Sequence, residues 1–232
     1  MITDDEIKWI SEYCPSLNIN QDRSEVSGLI NFRAAYDKEG GFTWLIDDKQ
    51  MAKGEILQDS YEVLVKKADK LTELPSLQLK IDEGKINIGR HFYPDGKACL
   101  CGPAERGKFI QSGFLFTKFL ERLVVPFLYE QTYFDKYEKW PWNEYAHGSA
   151  GIFQSFAFSD GTKEDIEACL QDLRKDKNWP RIKAMLSGHE RVTESSICFC
   201  NNPKQIRKCH PDILFRMAKL RSAIQKQSIR LN

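Results

Sequence analysis

Three cysteines and a histidine fall close together near the C-terminal end of the sequence. Cys198 and Cys200 are separated by one residue, eight residues follow, and the adjacent pair Cys209 and His210 comes next. Thiolate sulfur and imidazole nitrogen are the ligands of structural zinc sites, and the connection is long enough to bring the second pair back to the first. Because four protein ligands leave no open coordination position, the spacing predicts a structural zinc site rather than a catalytic one.

This segment resembles the SEC-C zinc motif, named for the tail of the SecA protein translocase. The motif reads Cys-x-Cys, eight residues, then Cys-Cys or Cys-His, and the ligand spacing here matches it in full. Asn201, Asn202 and Pro203 stand where that family commonly has Gly-Ser-Gly, which changes the turn without changing a ligand. The resemblance implies a small zinc-binding module at residues 188–232.

A second pair of cysteines, Cys99 and Cys101, lies in a turn-rich loop near Arg90, Lys97 and Arg106. Basic neighbours can lower the pKa of a thiol, and the thiolate is the nucleophilic form. The surroundings therefore allow a reactive cysteine at this loop. Thiol–disulfide exchange between the two cysteines is a weaker alternative, because a single intervening residue strains the ring and no thioredoxin-like βαβ pattern surrounds the pair.

The elements that position these residues follow from the spacing of apolar side chains. An amphipathic helix is predicted first, then an antiparallel β-meander, and then a series of helices. The predicted helices cover 4–14, a long apolar stretch after Gly113, 161–175 and 211–228, and the predicted β-rich pieces are 28–36, 40–46, 60–67, 76–81 and 86–93. The pattern predicts an α+β fold, with one domain at residues 1–187 and the zinc module at 188–232.

Composition narrows the classes of partner. The chain has 232 residues, with 34 Lys and Arg against 33 Asp and Glu, so the net charge of +1 favours neither nucleic acid nor an anionic membrane as the main partner. The first residues, MITDDEIKWI, lack the features of a secretory signal, and the most apolar run is interrupted by charges and by Pro126. We therefore expect a cytoplasmic protein with no transmembrane segment and with reduced cysteines.

The loop from His91 to Cys101 resembles the active-site loop of ubiquitin-conjugating enzymes, in which His-Pro-Asn is followed by Tyr-Pro-x-Gly-x-x-Cys-Leu. Counting from Gly96 assigns the thioester cysteine to Cys99, whereas counting from His91 assigns it to Cys101, so both stay candidates. Phe92 and Tyr93 replace the Pro-Asn of the family. The Asn credited with stabilising the oxyanion is therefore missing, and backbone amides or Asn143 would have to replace it.

The segment from Trp140 to Gly151 narrows the resemblance further. It is similar to the Trp-Pro-x-x-Glu-x-x-His-Gly-x-x-Gly stretch of bacterial ubiquitin-conjugating-like proteins, including those of cyclic-oligonucleotide-based anti-phage (CBASS) operons. In those systems the protein acts on the C-terminal glycine of a cGAS-like nucleotidyltransferase, which would be the implied partner here. Glu144 and His147 could form an acid–base pair, although a packed turn is the simpler interpretation.

Together these observations imply a ubiquitin-conjugating-like transferase with structural Zn²⁺ and no organic cofactor. Cys101 or Cys99 would hold the C-terminus of a protein partner as a thioester, with His91 beside it. The alternative is a non-catalytic adaptor, in which the same fold and the zinc module bind a protein partner and the thiols at the loop are incidental.

Overall fold

The computed structural model describes residues 2–47, 49–70, 73–111, 113–143, 145–200 and 202–231. It confirms an α+β fold with an antiparallel sheet. Two compact units divide the chain: Met1–Leu100 with Gly113–Glu144, and Cys101–Ser112 with Tyr145–Asn232. Each unit is therefore assembled from two separate stretches of sequence.

The sheet of the first unit is an antiparallel meander around two long strands. Its order is β1-β2-β4-β5. The strand β3 also pairs with β2, near the C-terminal end of β2, whereas β1 pairs near its N-terminal end. Ile30 lies opposite Tyr61 and Val26 opposite Val65, and all four side chains are buried on the same sheet. The strands are β1 (Leu17–Ile19), β2 (Glu25–Asp37), β3 (Gly41–Trp44), β4 (Glu55–Lys66) and β5 (Ser76–Leu79).

Helical segments of the first unit cover the sheet. The predicted N-terminal helix is confirmed as α1 (Asp4–Tyr13), which begins with a capping box between Thr3 and Glu6. The long apolar stretch forms α3 (Phe116–Phe119), a π-helical segment (Leu120–Val124) and α4 (Val125–Tyr137). Many side chains of these segments are fully buried, as expected for a helix that is apolar on nearly all sides.

One sequence prediction about the sheet is wrong. Residues 86–93 were expected to form a β-rich piece, but Ile88–Arg90 forms a 3-10 turn there, and a second 3-10 turn, Glu83–Lys85, comes just before it. The Asp82 carboxylate accepts the Gly84 N–H, and the Asn87 side-chain amide donates to the Gly84 carbonyl. These local hydrogen bonds favour turns over an extended strand.

The second unit is a helical assembly around one apolar core. Its helices are α2 (Pro103–Gln111), α5 (Ser149–Ala157), α6 (Lys163–Leu173), α7 (Trp179–Ser187), α8 (Ile206–Cys209) and α9 (Ile213–Lys226). The predicted helices at 161–175 and 211–228 are confirmed as α6, which is capped by Thr162, and as α9. The core runs from Ala104 to Ile224 and includes Cys198 and Phe199.

The compact units divide the chain differently from the predicted boundary at 187/188. Residues 188–232 share a core with α2, α5, α6 and α7, because Cys198, Phe199, Ile206 and Ile213 are buried among the apolar side chains of those helices. The segment that contains the four predicted metal ligands therefore belongs to a larger helical unit. Within the described residues, no helix is long and apolar enough to cross a membrane.

Candidate metal centre and candidate cysteine site

The four predicted metal ligands converge in the second unit. Cys198 Sγ lies 3.5 Å from His210 Nδ1, Cys200 Sγ 3.4 Å from Cys209 Sγ, and Cys209 Sγ 3.3 Å from His210 Nδ1. All four ligand atoms fall within 4.8 Å of one another. Metal–ligand bonds of about 2.0–2.3 Å separate neighbouring ligands of a tetrahedral ion by about 3.4–3.8 Å. The predicted convergence is confirmed, and the group could hold a metal ion.

A short hairpin and a single helical turn bring these ligands together. Ile197 and Gln205 form an antiparallel bridge, and the Cys198 N–H donates to the Lys204 carbonyl at 2.9 Å. The chain then enters α8, whose last residue is Cys209, and His210 follows with a non-helical backbone, φ −138° and ψ 77°. The eight-residue connection therefore turns back on itself, as the spacing predicted.

Phe199 fixes the ligand loop to the helices of the second unit. Its carbonyl accepts hydrogen bonds from Ser149 Oγ at 3.1 Å and from the Asn178 side-chain amide at 3.0 Å. Its buried ring packs edge-on against Phe153, with 5.7 Å between the ring centroids. Because α5 and α7 supply these contacts, the position of the ligands depends on the helical core.

The electrostatics of the ligands suit exchange of protons for a cation. Burial raises the pKa of Cys198, and burial together with the neighbouring Cys200 and Cys198 thiols raises the pKa of Cys209 to about 12. Burial opposes ionisation of Cys200 too, but the Asn202 backbone N–H and the neighbouring thiols lower its pKa. Burial, with the charge of Arg216, lowers the pKa of His210. A bound cation would displace the thiol protons, and its positive charge would balance the thiolates that result.

The second cysteine group begins in a tight hairpin of the first unit. Gly96 N–H donates to the Tyr93 carbonyl at 2.9 Å, and Tyr93 N–H donates to the Lys97 carbonyl at 2.8 Å. Gly96 has φ +79°, the left-handed geometry that a three-residue hairpin loop requires. The hairpin ends with a 2.7 Å hydrogen bond from Cys99 N–H to the His91 carbonyl, so two of the predicted site residues are backbone neighbours.

The hairpin extends the edge of the sheet. Ala98 N–H donates to the Leu77 carbonyl at 2.8 Å, and Lys97 forms a bridge with Gln78 of β5. Phe92, which stands where the family has Pro, is buried and packs edge-on against Phe127 of α4 at 5.3 Å. Phe92, which departs from the loop pattern of ubiquitin-conjugating enzymes, is therefore a core residue.

Arg90 connects the start of the loop to α4 by hydrogen bonds. Its guanidinium donates to the Gln131 side chain at 3.0 Å, to the Gln131 carbonyl at 3.2 Å and to Asp135 at 2.6 Å, and it lies over the Phe134 ring. The Gln131 amide donates back to the Arg90 carbonyl at 3.2 Å. Burial alone would raise the pKa of Asp135, but hydrogen bonds from Lys85 and Arg90 lower it.

His91 has a left-handed backbone, with φ +59°, directly after the 3-10 turn. Its ring packs edge-on against Trp140 at 5.2 Å, and Trp140 packs against Phe134 of α4 at 4.5 Å. A non-glycine residue in this conformation is uncommon, and such residues concentrate at functional sites. The conformation of His91 depends on the same helix that binds Arg90.

The two loop thiols differ from the helical cysteines in exposure. Cys99 and Cys101 are half-buried, whereas Cys14 and Cys169 are buried. Burial raises the pKa of Cys14 to about 11 and raises that of Cys169 further. Cys14 and Cys169 are therefore small buried apolar residues, and neither is suited to act as a nucleophile.

In the second unit, Cys101 lies beside a polar cluster that sequence reasoning missed. The Glu105 carboxylate accepts hydrogen bonds from Tyr145 Oη and from Ser155 Oγ, the latter at 2.5 Å, and Ser155 Oγ accepts the Ala104 N–H at 3.1 Å. Burial, the Glu105 carboxylate and the charge of Cys101 raise the pKa of Tyr145. Cys101 is therefore close enough to Tyr145 to influence its pKa.

Gly102 allows this cluster to form. A Cβ at Gly102 would lie 2.4 Å from Ser155 Oγ and 2.6 Å from the nearer Glu105 oxygen. The Gly102 carbonyl accepts the Arg106 N–H at 3.0 Å, so α2 begins at Pro103, two residues after Cys101. The helix dipole favours a negative charge near this end of α2.

The remaining predicted site residues are Asn143, Glu144 and His147. Asn143 is exposed in the first unit, and His147 is exposed in the second. Glu144 lies outside the described residues. The adjoining tryptophans pack in the first unit, where Trp142 stacks on Tyr129 at 6.0 Å. Both Trp140 and Trp142 therefore contribute to packing in the first unit.

Comparisons of the chain with protein families, with curated proteins and with solved structures find no match. The resemblances of the two cysteine segments therefore stay predictions from sequence.

Proposed function

We propose that the protein is a cysteine transferase of the ubiquitin-conjugating type. The observation that carries this proposal is the exposure of Cys99 and Cys101, which are half-buried at the end of an anchored loop while Cys14 and Cys169 are buried. A nucleophilic thiol must be reachable by its acyl donor, and the loop thiols meet this requirement.

The proposed reaction transfers an activated acyl group. The thiolate of Cys101 or Cys99 attacks the C-terminal acyl carbon of a protein partner that arrives as a thioester or an acyl adenylate. A new C–S bond forms, and the bond from the acyl carbon to the donor's sulfur or phosphate oxygen breaks, so that the donor leaves with the electron pair. An amine or water then takes the acyl group and releases the thiol.

The fold supports this proposal by the order of its elements. A helix, an antiparallel meander, a cysteine loop and helices follow one another, as in ubiquitin-conjugating enzymes. The family's oxyanion-stabilising Asn is absent, and we assign that task to backbone amides at the loop or to the exposed Asn143. We propose a cGAS-like nucleotidyltransferase in CBASS anti-phage defence as the partner, on the resemblance of the Trp140–Gly151 segment.

We further propose that the metal is zinc and that its role is structural. Three thiolates and one imidazole suit zinc among the metals that proteins bind with soft ligands. Cys198, Cys200, Cys209 and His210 would complete the coordination of the ion, so the ion would hold the loop and leave no position for a substrate. We expect it to stabilise the second unit and to take no part in acyl transfer.

A peptide thioester tests the transferase directly. The protein is incubated with a hexapeptide that ends in a glycyl thioester of mercaptoethanesulfonate, and its intact mass is measured. We expect a mass increase of one peptide that hydroxylamine or thiol reductant removes. The adduct should be lost in the double variant Cys99→Ala with Cys101→Ala, and the single variants should identify the acceptor.

Cys14→Ala is the matched control, because Cys14 is buried and its pKa is raised. It should form the adduct at the wild-type rate. An adduct that persists in the double variant would overturn the assignment of these thiols. If no adduct forms and the protein still binds the nucleotidyltransferase tail, the adaptor function replaces the transferase.

A further inference from the structure

Charge is distributed unevenly between the two units. The second unit has 17 Lys and Arg against 10 Asp and Glu, a net charge of +7, whereas the first unit has 17 against 23, a net charge of −6. The excess lies in residues 174–230, which have 14 Lys and Arg against four acidic residues. A structural Zn²⁺ with three thiolates would subtract only one charge from the second unit. The net charge of +1 for the whole chain therefore conceals one strongly basic unit.

The helix α9 presents part of this charge on a single exposed stripe. Phe215, Lys219, Ser222 and Lys226 recur at helical spacing, and all four residues are exposed. Lys219 Nζ donates to the Ala157 carbonyl at the end of α5. Within the part of the chain that the structure describes, no carboxylate forms an ion pair with Lys219 or Lys226. The positive charges of these two lysines are therefore available to an anionic partner.

Two aromatic rings are exposed beside these lysines. Phe215 is 74% exposed and lies one turn before Lys219 on α9, and Phe158, which follows Ala157, is 69% exposed. The hydrogen bond from Lys219 to the Ala157 carbonyl places Phe158 next to α9. The Phe158 ring also stacks on Tyr145, with 6.3 Å between the ring centroids. Aromatic rings among basic side chains are the stacking platforms of proteins that bind single-stranded nucleic acid.

The other side of α9 argues against a membrane as the partner. Ile213, Leu220 and Ile224 form the apolar side of this helix, and they are buried in the core of the second unit. A helix that lies on a membrane inserts its apolar side between the lipids, and this side of α9 is not available. Single rings separated by lysines suit the bases and phosphates of a nucleic acid strand.

We infer that the second unit binds single-stranded nucleic acid along the exposed stripe of α9. Lys219 and Lys226 contact phosphates, and the rings of Phe215 and Phe158 stack on bases. Every base has a face that can stack, and phosphate contacts carry no sequence information, so binding has little sequence preference. The inference goes beyond the proposed transferase and does not depend on it, because no residue of the stripe belongs to the cysteine loop.

Fluorescence anisotropy of labelled oligonucleotides tests the inference with the full chain. We expect the protein to bind an oligothymidylate of about 15 nucleotides, within the site sizes of single-strand-binding domains. Because binding releases counterions from the strand, the Kd should rise steeply between about 50 and 200 mM salt. A duplex of the same length should bind more weakly, because its bases are stacked on one another and cannot contact the rings.

The double variant Lys219→Gln with Lys226→Gln removes two charges and keeps a side-chain N–H donor for the Ala157 carbonyl. It should weaken binding by at least about tenfold and lower the slope of log Kd against log salt by about 1.4, about 0.7 for each lost phosphate contact. Lys38→Gln with Lys53→Gln, at exposed positions of the first unit, removes the same charge and should change neither quantity. Equal effects of the two double variants would overturn the inference.

Phe215→Ala separates stacking from charge. The side chain is exposed, so its removal leaves no cavity in the core. The variant should bind the oligothymidylate about tenfold more weakly, with an unchanged salt slope. An unchanged affinity would overturn the role of this ring. Vesicles of phosphatidylcholine and phosphatidylserine are the second probe. A protein that binds these vesicles but not the oligothymidylate would have an anionic membrane as its partner, and the inference would fail.

Discussion

Arg90 is the residue on which the geometry of the cysteine loop most depends. It is buried, its guanidinium makes three hydrogen bonds to Gln131 and Asp135, and its side chain lies over the Phe134 ring. The carbonyl of the next residue, His91, accepts a hydrogen bond from the Cys99 N–H. The contacts of one side chain with α4 therefore set the position of both ends of the hairpin.

We predict that Arg90→Leu lowers the free energy of unfolding by about 2–4 kcal/mol. The change removes the donor of the buried Gln131 side-chain oxygen and leaves Asp135 paired with Lys85 alone, and a buried acceptor is costly to leave unpaired. Urea unfolding followed by circular dichroism measures the loss. Lys80→Ala, which removes an exposed ion pair with Glu62, should change stability by less than about 0.5 kcal/mol. Equal effects of the two variants would contradict the role of Arg90.

Single residues were predictable from sequence where they are close together in the chain. The metal ligands Cys198, Cys200, Cys209 and His210 all fall within one short segment, so their spacing predicted their convergence. The polar cluster beside Cys101 was not predictable. Glu105 is 40 residues from Tyr145 and 50 from Ser155, and no local pattern connects them. Such contacts are set by the packing of α2 against α5, which the sequence does not reveal.

At the scale of elements, the hairpin between His91 and Cys99 is the connection that brings the thiol loop to the sheet. Gly96 closes it with φ +79°, and a Cβ there would meet only the Gln78 side chain at 3.9 Å. The cost of a side chain at this position is therefore conformational rather than steric. Asn adopts this conformation more readily than Ala does.

We predict that Gly96→Ala lowers the free energy of unfolding by about 1–2 kcal/mol, the cost of a left-handed conformation for a residue with a Cβ. Gly96→Asn, the matched variant, should cost less than Gly96→Ala. Urea unfolding measures the free energy of unfolding of both variants. Amide exchange at Ala98 and Cys99 shows whether the hairpin opens locally. Equal loss in both variants would mean that the turn does not need the left-handed conformation.

Elements with long apolar periodicity were predictable, whereas short irregular ones were not. The strands β2 and β4 and the helices α1, α6 and α9 were all expected, since each has a continuous buried face. Residues 86–93 contain β-favouring Ile and aromatic side chains, but local hydrogen bonds of the Asp82 and Asn87 side chains stabilise turns instead of a strand. The helices α2, α5 and α7 were not identified, because Gly, Pro and polar residues interrupt their patterns.

At the scale of the whole molecule, the metal group belongs to the core of the second unit. We predict that the purified protein contains one zinc ion per chain, and that a chelator lowers its unfolding temperature by about 5–10 °C, since removal of the ion leaves four donors around an empty centre. Elemental analysis and thermal unfolding with and without dipicolinate measure the two quantities. Restoring zinc should restore the unfolding temperature.

The double variant Cys200→Ser with Cys209→Ser should bind less than one-tenth of an equivalent of zinc. Cys14→Ser, which changes a buried cysteine of the first unit, should keep the full equivalent. A purified wild-type protein that has no metal, and that gains no stability when zinc is added, would contradict the assignment.

The discontinuous composition of the two units has a consequence for synthesis on the ribosome. The last strand of the sheet ends at Leu79, but α4, which covers it, is complete only at Tyr137. At about 5–20 residues per second, an apolar sheet face would wait roughly 3–12 s for its cover, while a stretch destined for the other unit emerges in between. During that interval the nascent chain would be most exposed to aggregation and most dependent on chaperones.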